Sequence, residues 1–99
     1  MMLLTKQLRQ QLPPLYSQEN VADPLVIAKF FTPDSHWTWY AIEFDGKDVF
    51  FGYVVGLVPE LGYFSLRELE AVRGPLGLPI ERDRGFIPCR LSEVQKGGE

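Results

Sequence analysis

Apolar and polar positions along this chain follow two different periods. Leu4, Leu8 and Leu12 fall on one helical face, opposite Lys6, Arg9 and Gln10, which predicts a short helix over Thr5 to Gln11. Pro13 and Pro14 end it, because a residue before proline is steered away from the helical region. Ser17 to Pro24 shows no period, and its Ser, Asn, Asp and Pro residues read as a loop. From Leu25 onward the pattern is that of strands. Leu25 to Phe31, His36 to Phe44 and Val49 to Gly56 are rich in β-branched and aromatic residues, and Gly62 to Phe64 predicts a fourth short strand. Thr32-Pro33-Asp34-Ser35 supplies one turn. Asp45-Gly46-Lys47-Asp48, between two apolar runs, supplies a hairpin.

The helical period returns after Phe64. Ser65 with Glu68 three residues later forms a capping box, and Phe64 with Leu69 occupies the hydrophobic-staple positions. Leu66, Leu69 and Val72 give the inner stripe of a helix over Leu66–Arg73. Gly74 suits the left-handed position after it, and Pro75 prevents continuation. Ile80 to Cys89 reads as an edge strand interrupted by Gly85 and Pro88. Leu91 to Gln95 reads as a last helical turn capped by Ser92, with Lys96 to Glu99 fraying. The fold class is therefore α+β: a small antiparallel sheet of three to five strands, one well-capped helix and a short N-terminal helix, in a single domain over 1–99.

Strict alternation sets Trp37, Trp39, Ala41 and Glu43 on one face of the second strand. His36, Thr38, Tyr40, Ile42 and Phe44 lie on the other. The third strand divides into Val49, Phe51, Tyr53, Val55 and Phe50, Gly52, Val54. Both faces of the hairpin are thus apolar or aromatic, unlike a sheet with one wet face. Such a sheet needs cover on both sides, or leaves aromatic surface for a partner. Trp37 and Trp39 point the same way, and an indole keeps its N–H near water or a partner. The pair suits a stacking platform for bases, a protein-binding hot spot or half of a dimer interface.

Composition narrows the classes. The 99 residues carry 13% aromatics, 23% charged residues and a net charge of −3. A chain of this size buries about 65% of its unfolded surface, enough for one modest core. Residues 1–64 hold four Lys/Arg against seven Asp/Glu, and residues 65–99 hold six against six. That balance argues against a protein held to duplex DNA by phosphate neutralisation. Cys89 stands alone, so neither an internal disulfide nor a multi-cysteine metal site is expected. No stretch is long and apolar enough for a signal peptide or a membrane helix, since Val49 to Val58 is the longest near-apolar run. A cytoplasmic protein with no membrane association and no cofactor is the expectation.

Candidate chemistry is sparse. Asp34-Ser35-His36 holds the residue types of a hydrolase triad, but three consecutive side chains cannot converge on one centre. His36 is the sole histidine, which removes multi-histidine metal sites. No motif surrounds Cys89 to make it a nucleophile with His36 as base. Asp23, Asp34, Asp45 and Asp48 do not reproduce a calcium-loop spacing, and Gly74-Pro75-Leu76-Gly77 lacks the lysine of a phosphate loop. Glu81-Arg82-Asp83-Arg84 is a dense run of alternating charge. It reads as a solvated edge that discourages aggregation, or, through Arg82 together with Arg73, as contacts for an anion or carboxylate.

Longer stretches resemble one known family. Leu12-Pro-Pro-Leu-Tyr-Ser-Gln-Glu-Asn20, Lys29-Phe-Phe-Thr-Pro-Asp-Ser-His-Trp-Thr-Trp-Tyr40, Glu43-Phe-Asp-Gly46 and Phe50-Phe-Gly52 are similar to the bacterial domain-of-unknown-function family 2958. So are Glu60-Leu-Gly-Tyr-Phe-Ser-Leu66 and Val72-Arg-Gly-Pro-Leu-Gly-Leu-Pro-Ile-Glu-Arg-Asp83. The resemblance spans about residues 3–94 and implies a small protein or module often encoded on mobile DNA, with no catalytic residues to carry over. Combined with the surface argument, it makes Asp34, Trp37, Trp39, Arg73, Glu81, Arg82 and Asp83 the candidate partner-binding residues. The expected function is a non-enzymatic accessory protein of a mobile genetic element that binds a protein partner through the aromatic hairpin region. Single-stranded nucleic-acid binding by aromatic stacking is the alternative, disfavoured by net charge. A homodimer through the hairpin would use the same aromatic surplus. A small enzyme using Glu81, Asp83 or Asp34 for acid–base work would need those carboxylates in one cleft.

Overall fold

Strands β2 (Ala28–Phe31), β3 (Thr38–Phe44), β4 (Val49–Val55) and β5 (Pro59–Ser65) run up and down as an antiparallel meander in a computed structural model that describes residues 2–97. A two-residue strand β6 (Glu81–Arg82) adds to the outer side of β2, giving a five-stranded sheet of order β5-β4-β3-β2-β6. Strands β1 (Leu25–Val26) and β7 (Cys89–Arg90) form a separate two-stranded ladder. Helices α1 (Lys6–Gln11), α2 (Leu66–Ala71) and α3 (Leu91–Gly97) complete the α+β domain. No helix among the described residues is long and apolar enough to cross a membrane.

The hairpin turn forms as its Asp-Gly pair dictates. Gly46 takes a φ of +88°, and the Asp45 carboxylate accepts the N–H groups of Lys47, Asp48 and Val49 at 2.8–3.0 Å. The same turn caps the next helix. Asp48 accepts the Ser65 hydroxyl at 2.7 Å and the Arg67 N–H at 2.8 Å, while Ser65 Oγ accepts the Glu68 N–H at 3.2 Å. Two of the orphan donors at the start of α2 are thereby satisfied by side chains.

A β-bulge changes which residues share a face. Ala41 pairs with Gly52, but Glu43 pairs with Phe51 and Phe44 with Phe50, so Ile42 is the extra residue. Strict alternation put Glu43 beside the tryptophans and Phe44 opposite them; the bulge exchanges the two. Phe44 joins Phe50 at a ring separation of 4.5 Å, and Phe50 stacks on Phe64 at 5.0 Å. A second irregularity, at Ile27, divides the single predicted strand Leu25 to Phe31. Regular alternation would send Val26, Ala28 and Phe30 to one face, yet Val26 packs with Tyr40 and Ile42 while Ala28 and Phe30 pack with Trp39 and Ala41.

Both faces of the sheet are consequently covered over its central strands. One carries Phe30, Trp39, Phe44, Phe50 and Phe64 beneath Leu3, Leu4, Leu12, Leu66, Leu69 and Ile80. The other carries Tyr40 and Ile42 beneath Val26, Leu91 and Val94. At about 25 cal/mol per Å² of apolar area buried, these two layers are the main stabilisation of the fold.

The remaining differences lie at element ends. The fourth strand extends to seven residues, because the meander continues past Val55 through a tight turn at Gly56–Val58. Helix α2 stops at Ala71, as Val72 is extended (φ −70°, ψ 140°). Gly74 does not take positive φ; among the described glycines only Gly46 and Gly77 do. Ile80 to Cys89 is not one edge strand, since β6 and β7 belong to different sheets. Ser92 does not cap α3. Its N–H and hydroxyl both donate to Asp23, at 2.9 and 2.6 Å, so the cap acceptor comes from 69 residues earlier. Lys96 and Gly97 lie within α3, and the rest of the predicted frayed end, Gly98 and Glu99, lies outside the described residues.

Candidate functional site

The connection between β2 and β3 is a turn closed by Thr32. Its N–H donates to the Trp37 carbonyl at 3.0 Å, and its buried hydroxyl accepts the Trp37 N–H at 3.0 Å. This fixes Trp37 at the end of the sheet. The indole stacks on Trp39 with ring centroids 5.9 Å apart, and it lies over Gly56, where any Cβ would fall on the ring. Trp39 is 9% exposed and belongs to the core, whereas Trp37 is half-buried. The predicted tryptophan pair is therefore one structural ring and one accessible ring.

Trp37, Thr32 and Ser35 separate two grooves. The first, of about 590 Å³, runs along β6 and is lined by Lys29, His36, Glu81, Arg82, Asp83 and Arg84 as well as Trp37. Lys29 Nζ lies 3.8 Å from Asp83 Oδ2, a half-exposed pair. Arg82 reaches back to the carbonyls of Met2 and Leu3 at 2.8 and 3.1 Å, tying the N-terminal segment to the groove wall. The second groove, of about 330 Å³, is lined by Trp37, Trp39, Val72, Arg73 and Pro75. Arg73 donates to the carbonyls of Glu70 and Val72 at 3.0 and 2.9 Å, so its guanidinium closes the C-terminal end of α2.

Asp34 lines neither groove. Its Oδ2 accepts the N–H of Leu76 at 2.8 Å and of Leu78 at 3.4 Å, bridging the β2–β3 turn to the loop after α2. Oδ1 is buried against Gly74 without a hydrogen-bond partner among the described residues. A Cβ on Gly74 would fall on this carboxylate. The glycine predicted for a left-handed cap is thus present for space. Of the three acids considered for acid–base work, Glu81 and Asp83 share the first groove and Asp34 does not.

The other chemistry-bearing residues are dispersed. Asp23, Asp45 and Asp48 serve caps and turns, and each is held below the ordinary carboxylate pKa by those bonds. Burial pushes the Cys89 thiol up, aided by Glu93, which keeps it protonated and weakly nucleophilic. No group of three His, Cys, Asp or Glu among the described residues is placed to hold a metal ion.

A third concavity, of about 370 Å³, has no counterpart in the sequence pattern. Ile42, Glu43, Phe51, Leu61 and Tyr63 form its sheet side, with Tyr16 and Val21 opposite. Glu43, 3% exposed, accepts the N–H groups of Tyr16 and Gln18 at 2.9 and 2.8 Å. Desolvation raises the Tyr63 pKa, with Tyr16, Glu43 and Glu19 adding to it, so its hydroxyl stays protonated. One acid inside the run Trp-Thr-Trp-Tyr-Ala-Ile-Glu-Phe is the available signal, and only the bulge shows which face it serves.

One family model, described as a protein of unknown function (DUF2958), matches residues 3–95. No curated protein and no solved structure matches the chain.

Proposed function

The chain belongs to the DUF2958 family of proteins of unknown function, and from the geometry around Trp37 we propose that it is a non-enzymatic interaction protein that binds an extended segment of a protein partner. The observation that carries this reading is the position of Trp37, an accessible indole standing between a charged groove and an apolar one. Buried anchors of this kind concentrate binding energy, and a polar rim beside them sets specificity. The charged groove holds both signs, Lys29, Arg82 and Arg84 beside Glu81 and Asp83. A peptide bearing both charges and one apolar anchor complements it better than a phosphate backbone does. Binding is preferred to catalysis because Asp34 is engaged by backbone N–H groups outside the groove that Glu81 and Asp83 share, and Asp83 there is paired with Lys29. A bacterial mobile element and the cytoplasm are the proposed setting.

Peptide display against the immobilised protein tests the reading. Enriched peptides are expected to lose affinity about tenfold or more on Trp37→Ala, the size of effect an anchor residue gives. Equal binding to the wild type and to Trp37→Ala would overturn it. Salt-dependent binding of labelled single-stranded oligonucleotides, with no peptide enriched, would instead favour nucleic acid as the partner.

A further inference from the structure

Backbone groups along β5 alternate between its two sides. The Leu66 N–H donates to the Asp48 carbonyl at 2.8 Å. With the register running from Val49↔Ser65 to Val55↔Pro59, Glu60, Gly62 and Phe64 bond inward to β4. The N–H and C=O groups of Leu61 and Tyr63 then point outward, at an edge of the sheet. Pro59, which has no N–H to give, falls at an outward position too.

Such an edge is a template for another strand, and proteins normally blunt it with lysine, internal proline or a bulge. Strand β5 has none of these: it pairs with β4 over seven residues without a register shift, and its proline is the first residue. Its outer side chains are apolar and exposed, Leu61 at 47% and Tyr63 at 58%, following Leu57 and Val58 in the preceding turn.

We infer that β5 pairs antiparallel with β5 of a second copy of this chain, about a two-fold axis at Gly62, joining the two five-stranded sheets into one. Leu61 of each copy then exchanges both backbone bonds with Tyr63 of the other, and their side chains cover each other as cross-strand pairs. Gly62 meets Gly62 at the axis, where nothing lies within 4 Å of a Cβ position. Charge also permits this occupant. Glu60 is the one charged residue of β5, and the register sets it opposite Phe64. The two Glu60 are four residues apart, about 13 Å at the rise of an antiparallel strand. That exceeds the screening length of about 8 Å at physiological salt. An unrelated strand would have to supply apolar side chains at both matching positions, whereas a second copy carries them. β6 lies at the opposite edge, so the groove beside it stays open in the dimer.

Light scattering on size-exclusion fractions, from low micromolar to millimolar concentration, tests the inference together with hydrogen exchange. The mass is expected to rise from 11.3 kDa toward twice that value, with the Leu61 and Tyr63 amides becoming protected in parallel. Leu61→Lys is expected to hold the protein at monomer mass with an unchanged circular dichroism spectrum. Leu76→Lys, at an exposed loop position, is expected to dimerise as the wild type does. A wild type that stays monomeric with those amides unprotected overturns the inference and leaves the edge to a strand from another protein. A dimer that survives Leu61→Lys, or that forms without protecting those amides, overturns it as well.

Discussion

Glu43 on β3 holds the backbone of Tyr16, 27 residues earlier, by accepting its N–H at 2.9 Å, and takes the Gln18 N–H with its other oxygen at 2.8 Å. Tyr16 carries the one positive φ outside glycine among the described residues, 70°. A buried carboxylate is thus neutralised in part by loop amides, and the loop acquires a fixed shape.

Glu43→Ala removes both acceptors and leaves two donors to find water. Stability is expected to fall by about 1–3 kcal/mol, the contribution of two hydrogen bonds. Urea titration measures the loss, and faster exchange of the Tyr16 and Gln18 amides localises it. A change within about 0.5 kcal/mol would place Glu43 with ordinary surface positions.

Asp34 and Gly74 are coupled by space. Gly74→Ala drives a methyl into the Asp34 carboxylate, so it is expected to destabilise the wild type by about 1–3 kcal/mol, as overpacking does. In an Asp34→Ala background the same substitution should cost much less. A double-mutant cycle reads the difference; strictly additive effects would mean that the two residues do not touch.

The tryptophans should separate by stability. Trp39→Ala empties a core position and is expected to cost about 3–5 kcal/mol, whereas Trp37→Ala at the half-buried position costs less. Chemical denaturation of each single variant checks this. Equal losses would put both indoles in the core and remove Trp37 as the accessible anchor.

Acid should loosen the caps. The Ser92 hydroxyl and N–H lower the Asp23 pKa; the Asp48 and Lys47 N–H groups lower that of Asp45; and the Ser65 hydroxyl and Arg67 N–H lower that of Asp48. Each folded value lies below the ordinary 3.8, so the unfolded chain takes up protons first as pH falls. The stabilisation is complete above the unfolded value and disappears as pH drops through the folded ones. Urea midpoints across that range should fall with pH, and Asp48→Asn should flatten the slope.

Signals confined to a few neighbouring residues are legible in the amino-acid sequence itself. Asp45-Gly46 specifies its turn, Ser65 specifies the start of α2, and the spacing of Leu4, Leu8 and Leu12 specifies the side on which α1 packs, with Leu4 and Leu12 buried at its two ends and Leu8 half-buried between them. Each of these depends on contacts within one turn or one strand, where backbone geometry and side-chain type act together. Mixed apolar patterning on both sides of β3 and β4 leaves open whether the second face is covered or free for a partner, and the structure covers both faces of the central strands. The candidate site is legible in part: Trp37, Glu81, Arg82 and Asp83 line one groove, Arg82 while holding the N-terminal segment; Arg73 lines the other while closing α2, and Asp34 lines neither.

Other features are decided over longer distances. Nothing local distinguishes Ile42 as a bulge, yet that one extra residue sends Glu43 to the loop and Phe44 to the core. Strand pairing and the fit of both faces select it together, because a slip of one residue exchanges every side chain beyond it. Asp23 becomes the cap of α3, and Gly74 the neighbour of Asp34, only when chain segments tens of residues apart are packed side by side. The chain's own periodicities laid down the elements; packing two cores against one sheet chose the register, and with it which side chains are buried, which polar groups hold the fold and which remain at the surface.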